Sequence, residues 1–181
     1  MKNKSNIKWI LQITILSIVI SVIFTLASTE ALSGAGYFVS FLLLALFILI
    51  GIVFDILGVA AASAVEAPFH SMASHKEKGA VEAIKLVKNA EKVSSICNDV
   101  VGDISGIVSG TTASIIVAML ASDFSLNNVV LQLVLSGVVS GLTIGGKAMG
   151  KTFAIKKSTM VVLTAGKIIA FFNRIKIRKR K

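Results

Sequence analysis

A single cysteine among 181 residues excludes a disulfide scaffold. Charge is also scarce: 15% of the chain is Asp, Glu, Lys or Arg, where an ordinary globular domain carries about 25%. Hydrophobic residues make up 55% and mean hydropathy is +0.86, so the composition excludes both disorder and an ordinary water-soluble enzyme domain. The sequence has no nucleophile–base constellation and no glycine-rich phosphate loop followed by Lys-Ser/Thr. An enzyme, a bound cofactor and ATP-driven pumping by this chain alone are therefore unsupported. Acids are the scarcer charge, nine against 19 Lys and Arg, which leaves a net charge of +10. What remains is a small all-α integral membrane protein whose charges sit at the ends of its spans.

Four segments are apolar and long enough to cross about 30 Å of hydrocarbon, which takes roughly 20 residues each. They are residues 9–27, 37–63, 93–121 and 126–146. Ser33-Gly34-Ala35-Gly36 and Ser122-Asp123-Phe124-Ser125 separate them on one side. The only proline, Pro68, lies just past the second span and suits the first turn of a new helix. Three divisions follow: an N-terminal helix and outside loop over 1–36, a three-span core over 37–146, and a basic tail over 147–181. The first helix is either a span or a cleavable signal, since a basic start and a small-residue site near Ala27-Ser28 fit both.

The cations set the orientation. Lys2, Lys4 and Lys8 precede span one; Lys76, Lys78, Lys85, Lys88 and Lys92 lie between spans two and three; every other Lys or Arg is at or beyond Lys147. The remaining loops carry Glu30 and Asp123 and no basic residue. The positive-inside rule makes both termini and the middle loop cytoplasmic in a cell-membrane protein. Between 68 and 92, Phe69, Met72, Ala80, Ala83, Ile84 and Val87 fall on one helical face with Lys and Glu opposite. This is the pattern of one or two amphipathic helices on the membrane surface, a cytoplasmic belt. The tail has an apolar stretch over 160–172, interrupted by Lys167 and too short to span, then Asn173-Arg174-Ile175-Lys176-Ile177-Arg178-Lys179-Arg180-Lys181. Such an end favours anionic lipid by about 1 kcal/mol per charge, so the bilayer and not nucleic acid is the expected partner.

Acids inside spans are the chemically informative residues. A mid-helix carboxylate costs about 2.5–3.5 kcal/mol, so such groups face a cavity or a partner. By a rise of about 1.5 Å per residue, Asp99 and Asp103 lie about 9 and 15 Å inside the third span, and Asp55 about 26 Å from the outer surface. Asp99 and Asp103, four apart, share a helical face, flanked by Asn98 and Gly102. Hard cations such as Mg2+ take oxygen ligands, and Asp55, Asn98, Asp99 and Asp103 supply them. Glu66, at the interface beside Pro68, reads as a helix-start residue. Cys97 reads as a packing residue. His70 and His75, five apart, read as surface residues rather than soft-metal ligands.

Gly102, Gly106 and Gly110 in span three and Gly137, Gly141 and Gly145 in span four recur every fourth residue. Such ridges let membrane helices approach closely, here each other or a second copy. The segments Ser105-Gly106-Ile107-Val108-Ser109-Gly110 and Ser136-Gly137-Val138-Val139-Ser140-Gly141 are nearly identical, as an inverted repeat or as two independent Gly/Ser faces.

From Lys76-Glu77-Lys78-Gly79-Ala80, through Ala83-Ile84-Lys85-Leu86-Val87-Lys88-Asn89-Ala90-Glu91-Lys92-Val93-Ser94-Ser95, to Asn98-Asp99-Val100-Val101-Gly102-Asp103, the chain resembles the transmembrane domain of the cyclin M/CorC magnesium-transporter family. The resemblance runs over about 51–172 and implies three spans, a belt helix and an ion site on the Asn98–Asp103 run. It further implies a homodimer that exports Mg2+, with Na+ as a coupling ion. Asp55-Ile56-Leu57-Gly58 stands where the family has Ser-x-Ser-Glu, and Lys147 stands where it has Glu. The CBS pair is absent. The expected function is therefore Mg2+ transport through an intramembrane acidic site. The alternatives are a non-transporting membrane scaffold or subunit, in which Lys147 neutralises the acids, and an intramembrane enzyme using Asp55 and Asp103.

Overall fold

The computed structural model describes residues 2–125 and 127–178, with side chains for 7–125 and 127–175. Every regular element among them is helical: α1 (Lys2–Leu32), α2 (Tyr37–Ser63), α3 (Glu66–Ser74), α4 (Ala80–Lys88), α5 (Ala90–Ser95), a π-helical stretch (Ile96–Gly102), α6 (Asp103–Phe124), α7 (Asn128–Lys156) and α8 (Ser158–Arg178). Leu126, the expected start of the fourth span, and the terminal Lys179-Arg180-Lys181 lie outside the described residues.

The breaks follow local chemistry. After α1 the backbone turns at Gly34, φ +75°, where a residue without Cβ takes the left-handed region at no steric cost. Pro68 falls in the first turn of α3, where its missing N–H has no helical partner to lose. Lys76 and Gly79, φ 57° and 82°, end one helix and start the next, so the segment 68–92 is two helices and the beginning of a third. Asn127 caps α7, its Oδ1 accepting from the N–H of Val129 at 3.0 Å and of Val130 at 3.3 Å.

Five helical segments are long and apolar enough to cross a membrane: Ile7–Leu32, Tyr37–Ser63, Ala90–Phe124, Asn128–Lys156 and Ser158–Ile175. The fifth departs from the sequence expectation of a tail too short to span. Helix α8 opens at Ser158, only two residues after α7 ends, which adds polar but helix-compatible residues to the apolar 160–172. At 35 residues, or about 52 Å, Ala90–Phe124 is longer than one crossing requires.

The chain packs as two units, the first formed by the residues up to Val53 with Asp99–Lys147, the second by Phe54–Asn98 with the residues from Ala148. In the first, Phe47, Val100, Ile104 and Val108 make one buried cluster onto which Ile13, Ile20 and Phe24 of α1 pack. Leu44, Ala113, Ile116 and Val139 make another. A buried Ser28–Thr112 hydroxyl pair, 3.0 Å apart, ties α1 to α6. The Tyr37 hydroxyl donates to Asp123 Oδ2 at 2.6 Å, joining the start of α2 to the end of α6. In the second unit, Ala60, Ala61, Phe69, Ala83, Ala154 and Val162 form a fully buried core. There α4 and α8 meet almost backbone to backbone. A Cβ on Gly79 would lie 2.7 Å from Lys167 Cα, and one on Gly166 would lie 3.0 Å from the Ala83 nitrogen, so glycine at both positions is what the contact requires.

Candidate cation site

In the second unit, Asp55 sits on α2 at 4% exposure. Its Oδ2 is buried and has no hydrogen-bond partner. Asn98 lies in the π-helical stretch, its Nδ2 donating to Ser94 Oγ at 3.2 Å. Its Oδ1 is likewise buried and unpartnered. The amide is held against α2 at Gly58, where a Cβ would come within 2.8 Å of Asn98 Cγ. Gly58 is three residues from Asp55 on the same face of α2, an axial rise of about 4.5 Å. Asp55 and the point where Asn98 packs on α2 therefore share one face of that helix. Buried polar atoms are nearly always satisfied, and exceptions call for an explanation such as an absent ion or water.

The other two expected ligands belong to the first unit. Asp99 lies in the middle of the π-helical stretch and Asp103 opens α6, and both side chains are exposed. Among the described residues no group of three or more His, Cys, Asp or Glu is arranged to hold a metal ion. The π-helical winding falls on the Asn98–Asp99 run, and such widened turns are frequent at functional sites. Nothing in local sequence chemistry forecasts it. Ser105 is a further residue that composition did not single out. Its Oγ is buried and unpartnered, and its Cβ lies 3.2 Å from where a Cβ on Gly51 would be. Gly51 and Gly58 were legible only as glycines within an apolar run; their role as contact points depends on what lies opposite.

Lys147 is half-buried and makes no ion pair among the described residues. Among the described residues, His70 pairs with Glu66 at 3.3 Å and Lys167 with Glu77 at 3.2 Å. Glu66 is accordingly the first residue of α3 and a partner within its own helix. His75 is exposed, and Cys97 is buried at 5% exposure.

The glycine ridges do not form the contact between α6 and α7. Helices α6 and α7 do pack, through Ala113, Ile116 and Val139 and a Gln132–Ser114 hydrogen bond of 3.1 Å. The glycines are not at the contact. A Cβ at Gly106, Gly110, Gly137, Gly141 or Gly145 would meet nothing within 4 Å. Larger side chains elsewhere on the two helices set their separation, and Gly106 and Gly110 line a cleft of about 220 Å³ with Ser136 and Ser140.

No protein-family model matches the chain, and comparison with curated proteins and with solved structures finds no match.

Proposed function

We propose that the chain carries Mg2+ across the membrane, with Asp55 and Asn98 as the capturing ligands and Asp99 and Asp103 as further acids on the ion's route. The observation that carries this reading is the pair of buried oxygens without partners, Asp55 Oδ2 and Asn98 Oδ1. Leaving such a group unsatisfied costs about 1–3 kcal/mol, a cost that a bound cation would remove. Mg2+ suits this donor set, because it keeps several waters and needs only one or two carboxylates from the protein. Exposed Asp99 and Asp103 are expensive against lipid, which argues for a wet approach at their position.

In this reading both termini and the segment between α2 and α5 face the cytoplasm, as the cation distribution requires. Helices α3 and α4 form the belt. Helix α8 lies with them rather than crossing, which its ion pair from Lys167 to Glu77 and its contact at Gly79 support. Energy comes from Na+, H+ or the membrane potential. A homodimer and outward transport follow from the resemblance to the cyclin M/CorC domain.

The test is Mg2+ flux in proteoliposomes. Wild type should exceed empty vesicles, and Asp55→Asn should lose at least tenfold while remaining folded, with Asp99→Asn also reduced. Absence of wild-type flux under every ion gradient overturns the reading. One observation favours the second reading, a membrane scaffold or subunit: the open glycine-lined cleft. On that reading Gly106→Leu or Gly141→Leu abolishes assembly, and the Asp variants leave it intact.

A further inference from the structure

We infer that the cavity where α8 meets the N-terminal end of α4 binds the phosphate headgroup of an anionic phospholipid. The inference is independent of the transport reading and concerns the second unit alone. The cavity has a volume of about 670 Å³. That falls within the range of about 300–1,000 Å³ typical of small-ligand sites. Its wall carries three cations, Lys78, Lys167 and Arg174, against one carboxylate, Glu77.

The pairing within that set decides what the cavity attracts. Lys167 Nζ lies 3.2 Å from Glu77 Oε1, so the carboxylate is taken up by one cation. Lys78 and Arg174 make no ion pair among the described residues, and an excess of two positive charges faces the cavity. A guanidinium presents a fork of N–H donors that matches two phosphate oxygens, and an ammonium beside it adds a mobile point charge. Helix α4 begins at Gly79 without a side-chain cap, which adds the positive end of its dipole to the same wall.

The site is built by the backbone rather than by chance exposure. Lys167, Phe171 and Arg174 follow at spacings of four and three, a single stripe along α8. The Gly79–Gly166 contact fixes that stripe against the loop carrying Glu77 and Lys78. Lipid, rather than a free phosphate ion, is favoured by the remaining wall. Phe171 lines the cavity beside the cations, and Ile168, Phe172 and Ile175 continue an exposed apolar surface along α8. A headgroup between cations and an acyl chain along aromatic and aliphatic side chains matches both halves of an anionic phospholipid.

The full-length protein in a neutral detergent would be titrated with dioctanoyl phosphatidylglycerol, with occupancy read by native mass spectrometry and by shift in Tm. One molecule per chain should bind saturably. Dioctanoyl phosphatidylcholine, with the same chains and no net charge, should bind at least about tenfold more weakly. Inorganic phosphate should not displace the lipid. The double variant Lys78→Gln/Arg174→Gln should weaken phosphatidylglycerol at least about tenfold, whereas Lys156→Gln/Lys157→Gln, which removes the same charge outside the cavity, should not. Arg174→Gln alone, at an exposed position, keeps the test available if the double variant misfolds; it should weaken binding about fivefold. Equal loss in the Lys156/Lys157 control, equal binding of phosphatidylcholine, or displacement by inorganic phosphate at comparable concentration would each overturn the assignment.

Discussion

Replacing Asp55 with valine should make the protein more stable and, on the transport proposal, abolish Mg2+ flux. A buried polar atom without a partner costs about 1–3 kcal/mol, and an apolar side chain of similar size removes that cost. Helix propensity changes little, because Val and Asp rank close together in a helix interior. Because Asp55 is only 4% exposed and its Oδ2 has no partner, no lost hydrogen bond from that atom offsets the gain. About 2 kcal/mol of net stabilisation is expected, equivalent to roughly a thirtyfold smaller open population. The single cysteine provides the assay. Cys97 is buried at 5% exposure and belongs to the same packed unit as Asp55, so maleimide labelling reports opening of that unit. When opening is rapid relative to modification, labelling should slow by about thirtyfold in Asp55→Val. Faster labelling than wild type would refute the reasoning, because it would mean that Asp55 holds a partner essential to the fold.

Three further outcomes follow from the packing. Gly166→Ala should destabilise by about 1–3 kcal/mol through overpacking against Ala83 and the Gly79 carbonyl, whereas Gly106→Ala, which meets only open space, should be neutral or slightly stabilising; thermal unfolding by circular dichroism separates them. Gly58→Ala should displace the Asn98 amide at modest cost in stability and, on the transport proposal, lower Mg2+ flux, measured beside Cys97 labelling to show that the unit remains closed. Ser28→Ala should lower stability by about 1–3 kcal/mol, since Thr112 is fully buried and loses its hydroxyl partner; denaturant midpoints of the two proteins compare it directly.

Much of the architecture was legible in one dimension because a membrane helix satisfies its backbone internally, so length and apolarity suffice to find it. Residues 37–63 coincide with α2, and the third segment differs by only a few residues at each end. Boundaries set by turn chemistry were partly legible: Pro68 marks the first turn of α3, whereas the capping role of Asn127 was not recognised. Lys167, which interrupts the tail's apolar stretch in one dimension, lies within a continuous helix and pairs with Glu77, 90 positions away in sequence.

The candidate site divides along the same line. That Asp55, Asn98, Asp99 and Asp103 are the unusual residues was determined by the sequence alone, because a carboxyl or amide group in an apolar run is conspicuous wherever it points. Which of their oxygens are buried was decided by tertiary packing. Asp55 and Asn98 lose solvent where α2 and the π-helical stretch pack, and Asp99 and Asp103 keep it. The glycines make the same point in reverse. Every-fourth spacing marks a smooth helical face, but closeness depends on the side chains opposite. Gly51, Gly58, Gly79 and Gly166 therefore carry the tight contacts, and the regular ridges of α6 and α7 stand open.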